Sequence, residues 1–280
     1  MKRKELSSFS PIQSCSEVQF TAGPEYHVAT HNHTSTQVFA RTNTQQRIYY
    51  HGDATFVLSA DGLVMAVRGT MGVPIISTPS MTIVRAVPWE SRPGKIALSA
   101  NGQYLYVRAN FSAEAAIFRL EDGSKLPAIS LDGSETEEQF YTDNRTEEVR
   151  LVAGTQGGSI KIWDIFSGSL YKELSDSSKE ASPVCSVSVT ENFSCGILVA
   201  SLDAGGLVRL WDIDTGTCLL KLGVGMDFIF SGMSGGRGHY FVTVSPDGLR
   251  LLVRRRELTA ICMLHGLANA LTKPKEVSET

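Results

Sequence analysis

Several stretches carry residue types and spacings that could do chemistry. Gly232-Met233-Ser234-Gly235-Gly236 has the G-x-S-x-G spacing that lifts a serine nucleophile out of a strand-to-helix turn. The "RGHYFVTV" that follows reads as a strand, so the motif is expected to be a Gly-rich loop; a hydrolase using Ser234 is the remotest alternative. His27, His31, His33 and His51 lie close in sequence, and strand alternation would put His31 and His33 on one face, where they could share a metal ion. No Cys or carboxylate accompanies them at ligand spacing, so they are read as surface or packed histidines and no metal is expected. Arg254, Arg255 and Arg256 end the apolar "LRLLV" and either touch phosphate or an acidic partner or form a solvated turn. Trp89 and Arg92, in the Pro-bounded "VPWESRPG", are expected to form an exposed contact surface, with a loop plug as the other reading. The acidic stretch from Asp132 to Glu148 is read as a solvated insertion.

The elements that position these residues follow from composition and pattern. The chain has 280 residues, 42% hydrophobic and 20% charged, enough to bury a substantial core. A net charge of -3 supplies no basic field for a nucleic-acid backbone and no strongly acidic field for a cationic partner. Five cysteines without a C-x-x-C pair suit a reducing compartment, as small buried apolar residues. The basic start "MKRKELSSFSPIQ" leads into polar residues, and no stretch approaches the roughly 20 apolar residues of a membrane span. The expectation is therefore an intracellular protein, in cytoplasm or nucleus, whose sequons at Asn32, Asn110, Asn144 and Asn192 stay unmodified. No Walker loop, dinucleotide fingerprint or zinc spacing appears, and no cofactor is expected.

Short apolar or β-branched runs recur between Gly, Asn, Asp and Ser clusters, the pattern of an all-β chain. "FVLSADGLVMAVRG" (56–69), "IALSANGQYLYVRA" (96–109) and "FVTVSPDGLRLLVRR" (241–255) share one grammar: strand, Ser, a turn with Asp-Gly or Asn-Gly, strand, Arg. Those dipeptides supply the positive φ of a tight hairpin turn. "GGSIKIWDIFSG" (157–168) returns forty-eight residues later as "GGLVRLWDIDTG" (205–216). A period in the forties means a repeat architecture. It divides 1–270 into units at about 15–52, 53–90, 94–132, 137–175, 183–222 and 227–265, followed by a polar tail at 271–280.

The two Trp-Asp boxes resemble the third strand and closing turn of WD40 repeats, a family of β-propellers with four-stranded blades. The resemblance implies a ring of six blades, with seven or an incomplete ring as alternatives, and residues Lys4 to Pro11 free to close the last blade. A seventh blade would have to lie in Gly223 to Gly238. It also implies a buried structural set: Ser201, Asp203, Trp211 and Asp212 in the fifth unit, and Thr155, Trp163 and Asp164 in the fourth, where Gly157 stands in the place of the Asp. Arg209, between them in sequence, is expected to lay its stem over the sheet and reach water. The function implied is a non-enzymatic scaffold whose partners are other proteins of a larger complex, reaching nucleic acid only indirectly; RNA or phosphate binding by the basic rim patch is the alternative. The segments "NGQYLYVRA", "GGSIKIWDI" and "ASLDAGGLVRLWD" are similar to WD-repeat subunits of the nucleolar small-subunit processome, which implies ribosomal RNA processing and the nucleolus.

Overall fold

The computed structural model describes residues 17–20, 28–31, 36–39, 45–48, 56–69, 72–80, 82–90, 93–109, 114–131, 135–143, 146–176, 182–192, 196–223, 240–245, 250–255 and 258–263. Residues before 56, and 191–192, 240–241, 254–255 and 258–263, are described as backbone. Every regular element among the described residues is a β-strand, and each strand pairs antiparallel with its chain neighbour.

Six sheets follow one another along the described chain. The first comprises β1 (Glu17–Phe20), β2 (Val28–His31), β3 (Thr36–Phe39) and β4 (Gln45–Ile48). The second comprises β5 (Phe56–Leu58), β6 (Val64–Val67), β7 (Val73–Ser77) and β8 (Thr82–Val87). The third has β9 (Pro93–Leu98), β10 (Tyr104–Ala109) and β11 (Ala115–Arg119). The fourth has β12 (Glu135–Asp143), β13 (Glu148–Thr155), β14 (Ile160–Asp164) and β15 (Leu170–Leu174). The fifth has β16 (Val184–Asn192), β17 (Gly196–Asp203), β18 (Leu207–Asp212) and β19 (Cys218–Gly223). The sixth has β20 (Tyr240–Val244), β21 (Arg250–Arg255) and β22 (Leu258–Met263).

The Ser-to-Gly grammar is the physical cause of the first turn in the second and third sheets, and Ser245 makes the same opening bond in the sixth. Ser59 donates its backbone N–H to Val64 O at 2.9 Å, Ser99 to Tyr104 O at 2.9 Å and Ser245 to Arg250 O at 2.9 Å. Within the first two loops the Asp61 and Asn101 side-chain oxygens accept from the preceding Ser hydroxyl, at 2.5 and 2.8 Å. Only the glycine takes positive φ, 74° at Gly62 and 69° at Gly102. These turns are thus longer than the two-residue hairpin that Asp-Gly and Asn-Gly suggest, with the asparagine or aspartate capping the loop instead of entering the left-handed region.

From the second sheet to the sixth, successive sheets pack on one another, and period-two alternation sends the side chains of inner strands such as β13 and β17 into two different cores. On β13, Val149, Leu151 and Ala153 pack against Tyr104, Tyr106 and Ile117 of the third sheet, while Val152 packs with Ile197 and Val199 of the fifth. On β17 the same division sends Ile197 and Val199 back to the fourth sheet and Leu198, Ala200 and Leu202 forward to Val242, Val244, Leu251 and Val253. Burial on both faces explains why "RLVAG" and "ILVASL" read as unbroken apolar runs where half-exposed strands would alternate. First strands also meet directly: the Thr136 hydroxyl donates to Val184 O, and Ser186 and Ser188 hydroxyls accept from the N–H groups of Val242 and Val244 at 3.2 and 3.3 Å.

Two expectations change. The acidic stretch is no solvated insertion: Glu135 to Asp143 form β12, and Glu135, Glu138 and Asp143 are buried. The third sheet has three strands among the described residues; after an isolated bridge between Phe118 and Lys125, Pro127 has no N–H to continue the ladder. Leu126 and Ile129 nevertheless cover the core between the third and fourth sheets. The closing segment Lys4 to Pro11, and all of Gly223 to Gly238 except Gly223, lie outside the described residues.

Candidate functional site

The two Trp-Asp boxes occupy equivalent places in neighbouring sheets. Trp163 stands opposite Leu151, and Trp211 opposite Val199, in the ladders of β13 with β14 and β17 with β18. Each indole is buried against the preceding sheet. Trp211 Nε1 donates to Ser201 Oγ at 3.2 Å. The equivalent of Ser201 is Ala153, by register, so Trp163 Nε1 is buried with no hydrogen-bond partner among the described residues. Thr155 therefore does not take the hydroxyl role expected of it beside Trp163. It occupies the place of Asp203 and bonds Ser159, accepting from its N–H at 3.1 Å.

The aspartates of both boxes close the following turn. Asp164 Oδ1 accepts from the N–H groups of Phe166 at 3.0 Å and Ser167 at 2.7 Å and from the Ser167 hydroxyl at 2.9 Å. Burial opposes its charge, but these bonds outweigh it and hold the carboxyl below its ordinary range. Asp212 makes the same turn, accepting from Asp214 N at 2.9 Å and from the Thr215 hydroxyl at 2.7 Å.

Asp203 accepts from Leu207 N at 2.9 Å and from Arg209 Nη1 at 2.6 Å. Arg209 Nε lies 3.4 Å from Asp176, which Lys221 approaches to 2.7 Å. Arg209 is buried, so the expectation that it reaches water is corrected: an acidic partner on the adjoining turn satisfies its charge inside the sheet.

A second network joins the third and fourth sheets. Glu138 lies 3.0 Å from Arg108 Nη2 and 3.5 Å from Lys95 Nζ, and accepts from the Tyr106 hydroxyl at 3.5 Å. Lys95 also pairs with Glu137 at 3.0 Å, and Lys161 lies 3.9 Å from Glu135. Burial pushes the Glu138 carboxyl up, and Lys95 and Arg108 only partly counter it. Burial, then the Glu138 charge, drives the Tyr106 phenol far above its ordinary value. Arg108 Nη1 donates to Glu135 O at 2.8 Å, just as Arg68 Nη1 donates to Gly94 O at 2.7 Å in the preceding sheet pair. Sequence reasoning missed this inter-sheet tie, although the Arg nine residues after each turn Ser was its signal.

Chemically these groups hold one another. Burial raises the thiol of half-buried Cys185, and likewise that of Cys218, which disfavours a nucleophilic thiolate at either. Among the described residues no group of three or more His, Cys, Asp or Glu could hold a metal ion, and no helix is long and apolar enough to cross a membrane. Trp89 is corrected from exposed to buried, at 9% exposure: it packs edge-on against Phe118 with ring centroids 6.4 Å apart, in the core between the second and third sheets. Arg92, Arg256, Ser234, His27, His33 and His51 lie outside the described residues, as do the side chains of Arg254, Arg255 and His31.

No family model matches the chain. Over 173 residues, 59% of its length, it is 31% identical to the COMPASS component SWD3 of Saccharomyces cerevisiae, and it spans about half the length of that protein. The relative is thus a component of an assembly, and the chain itself is all-β, built of consecutive antiparallel sheets, four of them four-stranded among the described residues.

Proposed function

We propose that the chain is a WD40-type β-propeller that works as a non-enzymatic scaffold in an intracellular multi-protein complex. The observation that carries this reading is the use of its polar interior. Asp203 with Arg209, and Glu138 with Arg108 and Lys95, tie strands and sheets together, so that each buried charge is answered by a neighbouring one. The likeness to a COMPASS component adds an assembly of many chains as the setting. On this reading the sheets are blades of a six-membered ring, Lys4 to Pro11 closes the last one, and Ser201, Asp203, Trp211 and Asp212, with Trp163 and Asp164, stiffen two neighbouring blades. Partner choice belongs to loops and outer strands. Ribosomal RNA processing is not carried forward, since only the repeat grammar speaks for it.

The test is purification of the tagged chain from its own cells, followed by sedimentation and protein identification. Recovery in a stable particle well above 30.4 kDa, with other proteins in fixed ratio, is the expected result. A chain that sediments alone as a monomer at every salt concentration rejects the scaffold.

A further inference from the structure

Asn101 is the one asparagine of the chain that is followed by glycine. A glycine in that place leaves its backbone nitrogen unshielded, and the nitrogen can attack the asparagine side chain. The N–Cγ bond forms, the bond from Cγ to the amide nitrogen breaks, and ammonia leaves. Water then opens the succinimide to aspartate or to isoaspartate.

The turn between β9 and β10 requires both residues. Gly102 takes a φ of 69°, and a Cβ there would lie 2.9 Å from Val64 Cγ2 of the second sheet, so glycine is the residue that fits. Position 101 must supply a side-chain oxygen, which accepts from the Ser99 hydroxyl at 2.8 Å and from Gln103 N at 3.1 Å. The second sheet meets the same two demands with Asp61 and Gly62, a pair that has no amide to lose.

Asn101 is exposed, so water reaches it, yet each reacting group is held in place. Ser99 holds two of them: its hydroxyl donates to Asn101 Oδ1, and its carbonyl oxygen accepts at 2.9 Å from Gly102 N, the attacking nitrogen. The leaving amide nitrogen, Asn101 Nδ2, donates to Gln103 Oε1 at 3.1 Å. Attack on Cγ needs the Gly102 bond broken and the side chain turned, so the folded chain reacts only when this turn opens.

We propose that Asn101 is a deamidation site of this protein, with water as co-reactant, and that Ser99 sets the rate of the reaction in the folded chain. The two products then differ in consequence. Aspartate at 101 reproduces the arrangement of Asp61. Isoaspartate inserts an extra backbone carbon before Gly102, which is already tight against Val64, and strains the turn that joins the third sheet to the second through the 2.8 Å bond from Ala60 N to Ala100 O.

The test incubates the full chain in mildly alkaline buffer, folded and in guanidinium chloride, and follows position 101 by peptide mapping with mass spectrometry. Ser99→Ala and Ser59→Ala are incubated beside it. Folding should slow deamidation at 101 about tenfold or more. Ser99→Ala should speed the folded-state reaction about fivefold, while Ser59→Ala, which removes the matching hydroxyl from the second sheet, should leave it unchanged. Asn101→Asp should keep the natural urea midpoint, and the isoaspartate fraction, separated by chromatography, should unfold at lower urea. No deamidation at 101 in either state overturns the site. Equal rates folded and unfolded, or equal acceleration by the two serine variants, overturn the role of Ser99. A lowered midpoint in Asn101→Asp, or a natural one in the isoaspartate fraction, overturns the distinction between the products.

Discussion

Trp163 and Trp211 sit in the same register position, in sheets side by side, and differ by one oxygen atom. Ser201 gives the Trp211 indole its acceptor, and Ala153 gives Trp163 none among the described residues. A buried donor left without a partner costs about 1–3 kcal/mol. Ala153→Ser should therefore raise stability by about 1 kcal/mol, and Ser201→Ala should lower it by about 1–2 kcal/mol, both read as shifts in the urea midpoint at constant slope. A destabilising Ala153→Ser would mean that the hydroxyl cannot reach Nε1. The aspartates that follow each Trp were legible in sequence, because Asp164 and Asp212 cap turns within three residues of themselves. Thr155 was misplaced by two residues, because sequence spacing gives no ladder register and only the pairing of Ala153 with Lys161 shows which residue stands nearer the indole.

At the scale of the strand, β13 and β12 show opposite sides of the same limitation. The apolar run of β13 could be read directly, and Gly154 within it marks a close approach: a Cβ there would lie 2.4 Å from Val184 Cγ1 of β16. Val184 is itself buried and has nowhere to move. Gly154→Ala should thus cost about 1–3 kcal/mol, whereas Gly157→Ala, whose nearest neighbour would be Thr155 Oγ1 at 3.7 Å, should stay within about 0.5 kcal/mol. Equal urea midpoints for the two variants would contradict the packing of β13 on β16. Strand β12 hid from sequence because its acidic residues resemble a solvated segment. Lys95 and Arg108, which neutralise Glu138, lie some forty and thirty residues upstream, and only the stacking of two sheets brings them to it.

From the second sheet to the sixth, neighbouring sheets are held by shared apolar cores, and the third and fourth also by buried charge pairs. Glu138 is the most consequential of these charges, since its carboxyl is raised by burial above the ordinary 4.5. The folded chain then holds that proton more tightly than the unfolded chain does. This contribution to stability is complete below pH 4.5 and fades as pH rises through the raised value, with Lys95 and Arg108 limiting the loss. Relative to Glu138→Gln, the natural chain should lose stability as pH climbs through that window, measured by urea unfolding at a series of pH values. A difference that stays flat would mean that Glu138 ionises as a surface carboxylate does.

By itself the sequence determined the local events. Ser, Asp or Asn, and Gly fix turns because their bonds and φ requirements are satisfied within a few residues, as at Ser59 to Gly62 and Ser99 to Gly102. Runs of β-branched and aliphatic residues between such turns then have little choice but to pair as meandering strands. Tertiary structure alone decided which faces meet and which charges are answered. It buried Trp89 against Phe118 and Arg209 against Asp203, brought Glu138 to Arg108, and left Ile83 and Val84 outside. The reason is physical: a turn's partners lie within a few residues of it, whereas burial and ion pairing depend on partners tens of residues away, whose positions exist only once the sheets have stacked.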